Sequence, residues 1–322
     1  MDKIWDSYKE IKIELEEITK IMKKETKCKD KVIQSSILEL IESGGKMLRP
    51  AFVVIGSRFG KEHNNERVRA LGSVLELFHM ATLVHDDVID NAKLRRGAET
   101  IQSKYGKDYA VYIGDFLFCV CFKILASNAS LASIKMDSKA MSRICMGEVE
   151  QLNSRFSDKL SVKSYLNRIS GKTAELFSLS LYLGAAESGC SDKLSKELWK
   201  VGHNIGMAFQ IIDDVLDYVG DDKSIKKSAA NDLKQGIFTI PFIYAFKEDE
   251  SAFRKYLDKQ EISDEEVKEI IALVKEKDGV NKAINLAKKY TDKAFKGIEK
   301  LPENKYKDIL REIATMLIVR EY

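Results

Sequence analysis

Six aspartates in two clusters of identical spacing, Asp86-Asp87-x-x-Asp90 and Asp213-Asp214-x-x-Asp217, are the residues of this chain best suited to chemistry. At about 100° per residue, the first and last aspartates of each cluster fall on one side of a helix, with the middle one beside them. Their neighbours are apolar: Leu83, Val84, Val88 and Ile89 in the first cluster, Ile211, Ile212, Val215 and Leu216 in the second. The carboxylates are therefore expected to point into the protein or its cleft, where unpaired charges would repel and shift toward protonation. Something cationic must compensate. Oxygen-only ligand sets suit hard divalent ions, above all Mg²⁺, which keeps several waters and shares its coordination with substrate phosphates. Two facing acidic helices could hold several such ions over one diphosphate. Solvated helix faces are the alternative for either cluster alone, but the same spacing in two apolar settings argues against it.

Basic and polar residues that could meet a diphosphate accompany the clusters. Leu94-Arg95-Arg96-Gly97 sets two arginines just past a helix end, and the planar guanidinium fork matches phosphate oxygens. Gly44-Gly45-Lys46-Met47-Leu48-Arg49-Pro50 places Lys46 and Arg49 on a glycine-loosened turn entering a helix N-terminus, a setting that favours anions. It is not a Walker loop, because the remaining glycine and the Lys-Ser/Thr pair are missing. Gly171-Lys172-Thr173 interrupts an apolar helical stretch. A Lys-Thr pair there either has a buried partner or contacts a ligand, unless the lysine snorkels to solvent. Gln210 lies close to the second acidic face, and His79 about two turns before Asp86. A lone helical histidine is more often a core residue than a functional one.

These residues need long helices to position them, and the rest of the chain reads that way. Proline occurs only at 50, 241 and 302, and between them run Leu/Ile/Ala/Glu/Lys-rich segments with a 3.6-residue period. The pattern predicts a helical hairpin over 2–42, a turn at 43–45, and helices from about Pro50, over 66–90, 108–127, 131–156, 162–187 and 193–218. The stretch 220–236 reads as a loop. A charge-rich helical group from Thr239 to the end is broken near Glu261, Gly279 and Pro302. No short alternating strands compete. With no Gly/Ser or Pro linker, the expectation is all-α: one domain, 1–322, a bundle of long helices around a central cleft. Both acidic motifs end long helices, but the residues around them do not repeat.

An apolar content of 44% over 322 residues is ample for a buried core. The net charge of +3 offers no support for a nucleic-acid partner. Five cysteines without metal spacing read as reduced thiols of a cytoplasmic protein. The first residues, 1–22, lack the apolar run of a signal peptide, and no segment reads as long and apolar enough to span a membrane.

The run Leu77 to Gly97, together with Gly114-Asp115-Phe116-Leu117, Gly147 to Gln151, Gly171 to Glu175 and Phe209 to Asp217, resembles the motifs of the trans-isoprenyl diphosphate synthases, in the same order and over nearly the whole chain. The resemblance is to the long-chain members, of heptaprenyl and octaprenyl type. It implies the isoprenoid synthase fold and a prenyltransferase reaction: loss of diphosphate from an allylic substrate, farnesyl or geranylgeranyl diphosphate, leaves a cation that the double bond of isopentenyl diphosphate attacks. It further implies that Asp86, Asp90 and Asp213 hold Mg²⁺ with Asp87, Asp214 and Asp217 close by. Lys172, Thr173 and Gln210 serve the allylic diphosphate and the developing charge. Lys46, Arg49, His79 and Arg96 match the isopentenyl diphosphate site, Arg95 the allylic side, and Lys227 the loop over the diphosphates. Members act as homodimers or as the catalytic half of a heterodimer, and a long product implies transient contact with a membrane.

Three positions depart from the family pattern. Met47 replaces a common arginine, the 226–232 segment lacks a Gly before its lysines and a later Pro and Gly, and Ile237 stands where lysine is frequent. On product length, the family places bulky residues one turn before the first cluster in short-chain enzymes; here Ala81 and Thr82 are small, and Phe78 lies a turn deeper. The expected product has roughly six to eight isoprene units, with a farnesyl or geranylgeranyl diphosphate synthase as the alternative. A class I terpene cyclase would carry a different second motif, and a di-iron bundle needs two Glu-x-x-His pairs where only Glu76 to His79 supplies one. A subunit inactive without its partner would be expected to have lost a cluster, and both are intact.

Overall fold

The computed structural model describes residues 3–62, 64–95, 97–219 and 229–318, without the side chains of 229–231. Helices make up nearly all of it. They are α1 (Lys9–Glu25), α2 (Lys31–Glu42), α3 (Leu48–Ser57), α4 (Asn65–Ile89), α5 (Ile101–Tyr105), α6 (Lys107–Asn128), α7 (Leu131–Asn153), α8 (Val162–Ile169), α9 (Glu175–Ala186) and α10 (Asp192–Val219), continuing with α11 (Ala229–Lys234), α12 (Ile240–Glu248), α13 (Glu250–Leu257), α14 (Asp264–Glu276), α15 (Gly279–Glu299) and α16 (Lys305–Ile318). Two compact units result: Met1–Met136 with Ser180–Lys196, and Asp137–Leu179 with Glu197–Tyr322.

In the first unit α4 is the central element, packed against α1, α3 and α6. Its apolar residues are spread around the helix, so Val68, Leu71, Val74, Leu75, Leu77 and Phe78 are all buried. The α1 helix is one-sided instead and buries Ile11, Leu15, Ile18 and Met22. Asn64 caps α4 by accepting from the Arg67 N–H at 3.0 Å. In the second unit α12 packs against α14 and α15, and Phe242 stacks on Phe238 with ring centroids 4.1 Å apart and meets Phe253 edge-on at 5.0 Å.

Several features differ from the sequence-based expectation. A two-stranded hairpin, β1 (Leu94–Arg95) and β2 (Ala98–Glu99), follows α4, where no strand was expected. The helix expected over 162–187 is interrupted by a π turn at Ser170–Ala174. Within the stretch read as a loop, 229–234 is helical. One helix, Lys107–Asn128, is long and apolar enough to cross a membrane, contrary to the expectation that none would be. That helix is α6, and 44% of its most apolar window is buried inside the protein. Packing against α4 accounts for its buried residues, among them Ile113, Leu117, Val120 and Ile124.

Candidate active site

The first acidic cluster ends α4. Asp90 is the C-cap, its N–H bonded to the Asp86 carbonyl at 2.8 Å. A helix C-terminus carries partial negative charge from its unsatisfied carbonyls, so three carboxylates there add to an unfavourable field that a cation relieves. The aspartates do not share one environment. Asp87 is 6% exposed, whereas Asp86 and Asp90 are only half-buried. Burial pushes the Asp87 carboxyl up, and Arg95 opposes that shift by directing both Nε and Nη2 to Oδ1 at 2.8 Å.

Arg95 reaches Asp87 because the hairpin is tied to the helix end. The Ala92 N–H bonds the Asp87 carbonyl at 2.9 Å, and the Ala92 carbonyl accepts from Thr100 Oγ1 and Gln102 Nε2, each at 2.7 Å. Gly97 takes φ +84°, which allows strand β2 to return beside β1. His85, immediately before the cluster, is locked against α6: its Nε2 lies 3.1 Å from the Val111 carbonyl and 3.4 Å from Asp115, and its ring sits where a Cβ on Gly114 would be, 2.2 Å away.

His79, Asp87 and Arg95 line one pocket with Gly44, Gly45 and Met47, about 1130 Å³ of empty space including its open mouth. Lys46 is exposed at the 44–47 turn, where its carbonyl accepts from the buried Trp5 indole at 2.7 Å, and Arg49 is the second residue of α3. Met47, in place of the expected arginine, is 9% exposed and adopts φ +49°. A thioether wall replaces a charge there. Arg96 and Lys227 lie outside the described residues.

The second cluster ends α10 in the second unit, and the same division recurs. Asp213 is exposed, Asp217 is half-buried, and Asp214 is buried. Desolvation pushes Asp214 up to about 7 despite donors on both oxygens, Tyr165 Oη on Oδ2 at 2.6 Å and Gln210 Nε2 on Oδ1 at 2.8 Å. Gln210 passes the network on, its Oε1 accepting from Thr173 Oγ1 at 2.7 Å. Lys172 pairs with Glu148 at 2.8 Å. The structure therefore joins Thr173, Gln210 and Asp214 in one chain of hydrogen bonds, with Lys172 beside Thr173 in the π turn. Ile237, at the third departure, is buried.

Tyr165 was absent from the sequence-derived set. Nothing in the sequence links it to a carboxylate 49 positions away. Glu148 lay within a quoted motif, but its pairing with Lys172 depends on how α7 meets the π turn.

The donor chemistry fits a divalent cation. Asp86 and Asp90 in the first unit, and Asp213 and Asp217 in the second, are hard oxygen donors nearer solvent than the middle aspartates, which Arg95 and the pair Tyr165 and Gln210 hold. Among the described residues no three His, Cys, Asp or Glu converge as a ready-made cage.

Residues 30–274 match the Polyprenyl synthetase family. The chain belongs to this family. It is 36% identical over 285 residues to heptaprenyl diphosphate synthase component 2 of Geobacillus stearothermophilus, covering 88% of this chain and 89% of that one. Among solved structures it is similar to geranylgeranyl pyrophosphate synthase from Lactobacillus brevis, with a TM-score of 0.94, 35% identity and 99% of each chain covered. It is also similar to heptaprenyl diphosphate synthase from Staphylococcus aureus, with a TM-score of 0.91, 33% identity, and 96% and 98% of the two chains covered. Family membership makes the chain a trans-prenyltransferase and gives the all-α architecture its place among the polyprenyl synthetases.

Proposed function

We propose that this enzyme condenses isopentenyl diphosphate head-to-tail with an allylic diphosphate, farnesyl or geranylgeranyl, to give a long all-trans polyprenyl diphosphate. The observation that carries the reading is the repeated division of labour in two acidic helix ends, with a buried, hydrogen-bonded middle aspartate and two outer aspartates nearer solvent. Asp86 and Asp90, and Asp213 with Asp217, are the residues that would hold Mg²⁺. When bound, Mg²⁺ neutralises diphosphate charge and so favours departure of the leaving group.

The chain's own residues do the rest. Lys172 grips the departing diphosphate after exchanging its Glu148 partner for phosphate oxygens. Thr173 and Gln210 hold oxygen dipoles toward the developing allylic cation, and Asp214, fixed by Tyr165, holds the Gln210 amide so that its oxygen faces Thr173. His79, Lys46, Arg49 and Arg96 bind the isopentenyl diphosphate and keep its double bond in reach, which supplies the entropy advantage of an oriented encounter. Arg95 serves the allylic side while neutralising Asp87. Lys227 is a further cation for the diphosphates.

Length control is assigned to α4 and α6. Ala81, fully buried and small, leaves room one turn before the cluster, while Phe78 packs on Phe118 at 5.2 Å and forms the deeper floor. This supports a product beyond farnesyl. The similarity to a geranylgeranyl pyrophosphate synthase supports a shorter product as the second reading. We place the enzyme in the cytoplasm, in transient contact with the membrane that receives its product. It acts as a homodimer, for which the exposed Tyr109, Tyr112 and Phe122 of α6 offer an apolar surface. The relative named as component 2 supports a heterodimer instead.

The test is incubation of the purified chain with Mg²⁺, labelled isopentenyl diphosphate and farnesyl diphosphate, with products dephosphorylated and resolved by length. A ladder ending in one long polyprenol is the expected result. Farnesyl product alone, from a shorter primer, would overturn the length reading. Incorporation only after adding a partner subunit would establish the heterodimer.

A further inference from the structure

The π turn at Ser170–Ala174 carries Lys172 and Thr173, and a π turn is a strained insertion that persists only where its surroundings hold it. Its closing bond runs from the Glu175 N–H to the Ser170 carbonyl, five residues back. Relaxation to an ordinary α-helical turn would shift the register by one residue. Thr173 would then rotate by about 100° relative to α9 and lose Gln210.

Three side chains grip the turn at its ends. Ser170 Oγ lies 3.2 Å from Arg143 Nη2 and 3.0 Å from His203 Nε2. A guanidinium only donates, so Ser170 accepts from Arg143, and its proton or its second lone pair meets His203 Nε2 according to the imidazole tautomer. Burial and the nearby charges of Arg143 and Lys293 hold the His203 pKa below its usual value, which favours the neutral ring. At the other end, Arg143 Nη1 pairs at 3.0 Å with Glu175, which is 1% exposed. The backbone completes the clamp: a Cβ on Gly171 would stand 2.7 Å from the Arg143 carbonyl. One arginine of α7 thus straps the first residue of the turn and the first residue after it.

We propose that Arg143, Ser170 and His203 are positioning residues for the allylic-diphosphate half of the reaction, acting through the π turn on Lys172 and Thr173. The proposal rests on the prenyltransferase reading given above. It requires that loss of a clamp bond weaken allylic binding and turnover while leaving isopentenyl diphosphate handling, which uses residues of the other unit, intact.

The test compares wild type with Ser170→Ala, His203→Ala, His203→Gln and the double variant Ser170→Ala/His203→Ala. Titration with farnesyl thiolodiphosphate and Mg²⁺ gives allylic affinity, and steady-state kinetics give separate KM values for the two substrates. Ser170→Ala and His203→Ala are expected to lose about 10- to 100-fold in allylic affinity and kcat. KM for isopentenyl diphosphate should stay unchanged, and the double variant should be no worse than either single one. His203→Gln, which offers an amide to Ser170, should restore most of the loss. Wild-type allylic affinity in both alanine variants, an equal loss for both substrates, or a loss that His203→Gln does not relieve would overturn the proposal. A wild-type chain that condenses no primer by itself would count against the proposed self-sufficient condensation alone, because the analogue titration still reports on the clamp.

Discussion

A carboxylate is a poor group to bury, and this enzyme buries one at the centre of each cluster while leaving its neighbours nearer water. Asp214 is the more extreme case, and Tyr165 is the donor that makes its burial tolerable. Replacement Tyr165→Phe should cost about 1–3 kcal/mol of stability by denaturant titration and lower kcat, because Gln210 and Thr173 lose their anchor. Asp137 presents the same problem: burial alone raises it to about 7 from 3.8. Well below pH 3.8 this residue is protonated in both folded and unfolded chains and exerts no penalty. As pH rises toward 7 the unfolded chain gives up the proton and the folded one keeps it, so stability is lost through that window, by up to about 4 kcal/mol. Asp137→Asn should therefore raise the melting temperature at pH 8 and leave it nearly unchanged well below pH 3.8. The sequence exposes the two clusters because their residues are adjacent on a helix. It conceals Asp137, since a single aspartate in a mixed α7 pattern does not show which way it points.

Among the elements, those with long uninterrupted periodicity were legible to within a residue or two: α4, expected over 66–90, spans 65–89, and α10 begins and ends beside its expected limits. Elements that depend on contacts distant in sequence were not. The β1–β2 hairpin is two residues per strand and is held by side chains that bond the Ala92 carbonyl, so no alternation announces it. The π turn adds one residue to a helix and barely disturbs its hydrophobic period, which is why 162–187 reads as continuous. The pairing of α4 with α6 carries its own expectation. Phe118→Ala or Phe78→Ala should lengthen the polyprenol by at least one isoprene unit, and Ala81→Phe should shorten it, as read by chromatography of the dephosphorylated products. Product lengths unmoved by all three would show that these two helices do not set the limit.

The division into two units cuts through helices rather than between them. Its boundaries fall within α7 at 136–137, within α9 at 179–180 and within α10 at 196–197. Each helix is stabilised cooperatively along its length, so breaking one at mid-span sacrifices turns on both sides. We expect a single unfolding transition in calorimetry, the behaviour of one domain over 1–322; two resolved transitions would contradict that expectation. Removal of divalent ions with a chelator should abolish condensation and leave that transition in place, since the apolar core does not depend on the aspartates. Only two tryptophans occur in the chain, Trp5 and Trp199. The indole of Trp5 is fully buried and donates to the carbonyl of Lys46. In a Trp199→Phe background, its emission becomes an optical gauge of the 44–47 turn, and occupancy by isopentenyl diphosphate can be followed in real time without a label.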